Sequence, residues 1–162
     1  ISGWDVSAVT NMSNMFSDAR AFNQDISDWN VSAVTSMYNM FNNALSFNRD
    51  IGSWNVSNVI DMSWMFFEAV SFDQDINTKQ ITQQESPTGN AYMAWDVSKV
   101  KYISHMFYGA RDFYQNLKDW NLNNVNNMNN IFDNATRMAA FNNINLLTGS
   151  NINKNNWGNV FN

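Results

Sequence analysis

One pattern recurs along this chain at a spacing that only a stack of similar units accommodates. Trp4, Trp29 and Trp54 stand 25 residues apart, as do Trp95 and Trp120. The same companions return with each of the first three: Val6, Val31 and Val56, then Ser7, Ser32 and Ser57, then Val9, Val34 and Val59. The pairs Met12/Met15, Met37/Met40 and Met62/Met65 follow, each trailed by Phe16, Phe41 or Phe66 and later by Phe22, Phe47 or Phe72. Each unit closes on Ile26, Ile51 or Ile76. Between Trp54 and Trp95 the gap is 41, one unit plus 16 residues. A fixed period in the twenties is a solenoid signature.

Two shorter periods lie inside the long one. Trp29 and Val31 alternate with Asn30, the period of a short strand. Val34, Met37, Met40, Phe41 and Ala44 then fall at steps of three and four, one stripe of a helix of about three turns. Ser32 precedes that stripe, where its hydroxyl would cap the first turn. Ser7, Ser57, Ser98 and Asn123 hold the same place. Residues such as Phe47 and Ile51 anchor a return turn.

A single unit offers about eight large apolar side chains worth roughly 2 kcal/mol each, against backbone ordering of roughly 1–2 kcal/mol per residue. Units must therefore stack, with both ends capped. Strands about 4.8 Å apart against helices about 8–10 Å apart predict curvature with the sheet inside, and parallel connections predict a right-handed winding. The expected fold class is α/β, a right-handed leucine-rich-repeat-like solenoid with a short parallel sheet inside and short helices outside.

The runs WDVSAVTNMSNMF and AFNQDISDWNVS resemble the bacterial surface-protein and mycoplasma lipoprotein repeat, a group related to BspA-like leucine-rich repeats. The resemblance covers about 1–135 in five copies. Ile26, Trp29, Val31 and Val34 follow the leucine-rich-repeat spacing, with Val34 where that pattern has Asn, so an asparagine ladder does not carry over to Val9, Val34, Val59, Val100 and Val125. The resemblance implies a cell-surface or extracellular protein, often linked to adhesion.

At 44% hydrophobic the 162 residues can bury a sizeable core, and a single solenoid domain over 1–162 is the economical reading. It divides into repeats at about 1–76 and 92–135, an inserted loop at 77–91 and a C-terminal cap at 136–162. The insert carries the chain's only proline, Pro87, in SPTGN, a turn signal that predicts a projecting hairpin. The tail keeps Ile144, Leu146, Leu147, Ile152, Trp157, Val160 and Phe161, but no Trp follows at the expected spacing. Opening on Ile1, in the place of the Ile before each Trp, the chain reads as a fragment whose upstream repeats or leader are missing. Neither a signal peptide nor a membrane span is visible, and the absence of cysteine fits more than one compartment.

Only 14% of the residues are charged and the net charge is -5. Without clusters of Lys or Arg, nucleic acid and anionic membranes are disfavoured as partners. The single His, His105, takes an outward position with no nucleophile beside it, and the glycines form no phosphate loop, so catalysis and cofactors are set aside. Asp25, Asp50 and Asp75 recur at one position, where each carboxylate accepts a backbone amide of its return turn; a bound Ca²⁺ is the sharper reading.

Two classes of function remain: a binding module for an extracellular protein or glycan, and a structural spacer that packs on copies of itself. Aromatics at outward positions separate them. Tyr38, Trp64, Phe67, Tyr102 and Tyr108 hold such positions, and Trp64, Phe67, His105 and Tyr108 are expected to share one patch. The alternative surface is the concave sheet, lined by Asp5, Asn30, Asn55, Asp96 and Asn121.

Overall fold

The computed structural model describes residues 1–141 and 152–161. Ile144, Leu146 and Leu147 of the expected cap lie outside the described residues.

The α/β expectation is overturned. The described residues are mostly turns and coil, with one antiparallel two-stranded sheet, one short helix, α1 (Thr136–Phe141), and a 3-10 helix at Trp157–Phe161. The sheet pairs β1 (Lys79–Ile81) with β2 (Tyr92–Ala94). Neither a parallel sheet nor a leucine-rich-repeat solenoid is found among these residues. Trp29–Val31 is coil, and residues 34–44 are turns with one isolated bridge at Ser36.

The expected helix fails because its backbone groups bond elsewhere. The amides of Met37, Asn39, Phe41 and Asn43 donate to the carbonyls of Asp61, Ser63, Met65 and Phe67, one unit further along, at 2.8–3.0 Å. An α-helix would send them four residues back. Asn39 and Asn43 also adopt φ of 61° and 54°, the left-handed region that interrupts a right-handed helix. Within a unit the chain advances by three-residue closures, such as Met40 N–H to Met37 and Ala44 N–H to Phe41. Steps of three and four therefore arise from successive turns, which mimic the helical period. The same ladder joins Met12, Asn14, Phe16 and Asp18 to Ser36, Tyr38, Met40 and Asn42. Isolated parallel bridges run Asn11–Ser36–Asp61–Tyr102–Asn127.

Burial accounts for the strict apolar positions. Phe16, Phe41, Phe66, Phe107 and Phe132 stack with centroids 5.5–5.6 Å apart. Phe22, Phe47, Phe72 and Phe113 form a second column at 5.7–5.9 Å. Trp29, Trp54, Trp95 and Trp120 are buried, whereas Trp4 is 56% exposed, so the expected internal Trp column holds for four of its five members. Each buried indole donates to the carbonyl of an earlier closing residue, Trp54 to Ile26 and Trp120 to Ile76 among them. Trp157 joins this column, 6.2 Å from Trp120 and donating to the Leu117 carbonyl at 2.8 Å.

Asx turns use the abundant polar side chains. Asn30 Oδ1 accepts both the amide and the hydroxyl of Ser32, so Ser32 donates to a turn instead of capping a helix. Asn55 and Asp96 accept the amides of Ser57 and Ser98 in the same way. Asp25, Asp50 and Asp75 accept the amides of Ser27, Gly52 and Asn77 at 2.8–3.0 Å, and Asn116 does this for Lys118. Such side-chain closure is what Asn and Asp offer a turn.

The two-stranded sheet spans the insertion and takes in residues 92–94, which the sequence assigns to the next repeat. Thr78 donates to the Trp95 carbonyl and Tyr92 to that of Ser53.

Candidate functional site

The left-handed positions organise the site. Asn14, Asn39, Trp64, His105 and Asn130 occupy one register position with φ between 56° and 62°. Asp18, Asn43, Glu68, Gly109 and Asn134 occupy another, at φ between 50° and 66°. Gly, Asn and Asp suit this region, while a bulky residue there is an outlier. Trp64 and Glu68 are therefore exceptions in columns otherwise filled by tolerant types.

Around Trp64 the fold brings the four aromatic candidates together. Trp64 stacks on His105 at 4.4 Å and lies 4.6 Å from Phe67. Phe67 stacks on Tyr108 at 4.8 Å, and His105 is 5.9 Å from Tyr108. All four are half-buried, so each ring keeps surface open to solvent. Tyr38 and Tyr102 are exposed at other register positions.

His105 is held on the far side by Asn130, whose amide nitrogen lies 2.8 Å from Nε2. Nδ1 is buried and has no hydrogen-bond partner. Burial pushes the imidazole below its ordinary value, opposed by the Asp133 carboxylate.

A cavity of about 590 Å³ borders the rings through Tyr108. Glu68, Val70, Gly109, Arg111, Asn134 and Thr136 complete its wall. The Glu68 side chain lies across Gly109, where an added Cβ would come 3.0 Å from Glu68 Cγ. A flat aromatic surface beside a carboxylate, a guanidinium and an amide can combine ring stacking with directed hydrogen bonds. Sequence reasoning missed these polar residues; the signal was Glu68 at a position held by Asp18, Asn43 and Asn134.

The alternative concave surface is not formed as a sheet. Asp5, Asn30, Asn55, Asp96 and Asn121 each direct a side-chain oxygen to an amide two residues on. Among the described residues no group of three His, Cys, Asp or Glu could hold a metal ion, and no helix is long and apolar enough to cross a membrane.

No curated protein and no solved structure matches this chain. The model of one family, described as Mycoplasma protein of unknown function, DUF285, matches residues 1–92 and 85–145. Those matches take in the repeated units and the insertion, and the chain belongs to that Mycoplasma family.

Proposed function

We propose that this protein is a non-catalytic binding module of the cell surface or extracellular space, recognising a protein or glycan by adhesion-type contact through Trp64, Phe67, His105 and Tyr108. The observation that carries this reading is Trp64 itself. Its ring stands half-open at a left-handed backbone position where three other units place Asn. A bulky residue there costs roughly 1–2 kcal/mol, and strain of this kind points to use. Rings of this type serve protein hot spots and sugar platforms. On the same reading the five in-register copies are kin to BspA-like surface repeats, a kinship resting on their shared sequence pattern. Cofactors play no part in it.

The second reading is a structural spacer that stacks on copies of itself. Its support is the backbone ladder, which repeats at successive junctions and needs none of the exposed rings. A binding screen against glycans and matrix proteins separates the two. The Trp64→Ala plus Tyr108→Ala double variant is expected to lose binding that the parent shows. Unchanged binding removes the aromatic surface from consideration, and no binding by either protein favours the spacer.

A further inference from the structure

We infer a second binding site, for the acidic groups of a carbohydrate, in a groove at register positions other than those of the aromatic surface. The groove has a volume of about 540 Å³ and is lined by Thr35, Asn58, Ile60, Lys99, Lys101 and Asn124, together with Ala33. These residues come from four successive units at two register positions, four and six residues after each Trp. The groove therefore runs along the stack, suited to an extended occupant.

Its charge is opposite to that of the molecule. The chain carries -5 overall, yet no Asp or Glu is among the described residues lining this groove. The ion pairs Lys79–Asp75 and Arg137–Asp73 use neither groove lysine. Lys154 adds a third ammonium nearby by donating to the Asn123 carbonyl at 3.1 Å.

The hydrogen-bond inventory narrows the ligand. Lys99 donates to Asn58 Oδ1 at 2.9 Å, while Asn58 and Asn124 donate their amides to the Ser32 and Ser98 carbonyls. The Thr35 hydroxyl donates to the Thr10 carbonyl. An ammonium has three donors, so Lys99 keeps two free and Lys101 brings its own. The charged part of the open capacity is donating and cationic, with Asn124 Oδ1 and the Thr35 hydroxyl oxygen left as neutral acceptors, beside an Ile60 side chain that is 40% exposed. A peptide strand would bring as many amide donors as acceptors, more N–H groups than Asn124 Oδ1 and the Thr35 oxygen can answer, and no negative charge for the two ammonium groups. An acidic sugar offers carboxylate or sulfate oxygens together with a C–H face for Ile60. Single-stranded nucleic acid would gain from stacking rings, and none lines the groove.

The test titrates the whole chain by calorimetry with a hyaluronan octasaccharide, a heparin octasaccharide, a neutral dextran oligosaccharide and polyglutamate. Binding of an acidic octasaccharide is expected, weakened at least tenfold in Lys99→Ala plus Lys101→Ala and kept in the corresponding Lys→Arg pair. Hyaluronan binding would assign a carboxylate, and heparin binding alone a sulfate; either supports the site. Lys79→Ala plus Lys118→Ala makes the same change in net charge elsewhere and should leave affinity intact. The inference is overturned if neither acidic sugar binds, if the control pair loses affinity equally, or if dextran or polyglutamate binds as tightly. Trp64→Ala plus Tyr108→Ala should not alter this titration, so its outcome is separate from that for the aromatic surface.

Discussion

The indole N–H of Trp54 donates to the backbone carbonyl of Ile26, 28 residues earlier, at 3.2 Å. Trp29, Trp95, Trp120 and Trp157 repeat this bond to Ile1, Ile51, Ile76 and Leu117. One side chain thus fills the core and ties its unit to a closing residue earlier in the chain. Trp54→Ala is expected to cost about 3–5 kcal/mol, whereas Trp4→Ala, at a ring 56% exposed, should cost well under half of that. Urea denaturation of the two variants checks the difference, and equal losses would contradict the packing described.

Trp64→Asn separates binding from folding. Asn is the residue at Asn14, Asn39 and Asn130 in the same left-handed column. Relief of backbone strain of roughly 1–2 kcal/mol should offset loss of ring contacts worth about 0.5–1.5 kcal/mol each. The melting temperature is expected to stay within about 4 °C of the parent while binding through the aromatic surface is lost. A fall of ten degrees would make Trp64 a core residue.

Gly109→Ala tests the neighbouring column. Gly109 has φ of 66°, and a Cβ there would meet Glu68 Cγ at 3.0 Å. A loss of about 1–2 kcal/mol is expected, and Gly109→Asn should recover part of it because Asn tolerates this backbone. Thermal melts of both variants suffice, and an Ala variant as stable as the parent would contradict the assigned conformation.

His105 makes stability depend on pH with a definite sign. Its folded value lies below the ordinary one of 6.5, so below that pH the unfolded chain binds more protons. Stability is full above about pH 6.5 and is lost as pH falls from there through the depressed folded value, with no further loss from this group below it. His105→Gln should flatten the dependence between pH 7.5 and 5. A parent and variant whose melting temperatures fall in parallel would place the titration elsewhere.

Asp50 Oδ1 accepts the Gly52 amide at 2.8 Å, and Asn116 fills the same role for Lys118. Asp50→Asn is therefore expected to stay within about 0.5 kcal/mol of the parent, while Asp50→Ala loses a turn hydrogen bond worth about 1–2 kcal/mol. Adding calcium or chelator should leave the melting temperature unchanged. A calcium-dependent shift of many degrees would establish the cation reading instead.

The 25-residue register was written in the chain, because burial in a stack repeats its demands at fixed places: Phe41 must meet Phe66, and Ile26 must present its carbonyl to Trp54. The outward set of Trp64, Phe67, His105 and Tyr108 was legible for the same reason, since equal register positions in consecutive units lie side by side. Local conformation was not legible from apolar spacing, because closures of three residues imitate a helical stripe. Asn39 and Asn43, four apart between the apolar positions of that stripe, were the signal that favoured left-handed turns. Only the tertiary structure decided where the amides of residues 37–43 bond, placed Trp157 on Trp120 across 37 residues, and set Glu68 and Arg111 beside the rings. It also brought Lys99 and Lys101 to Asn58 in one groove. Apolar burial fixes which residues recur, whereas the choice of partner for each backbone amide is made between units and leaves little trace within one.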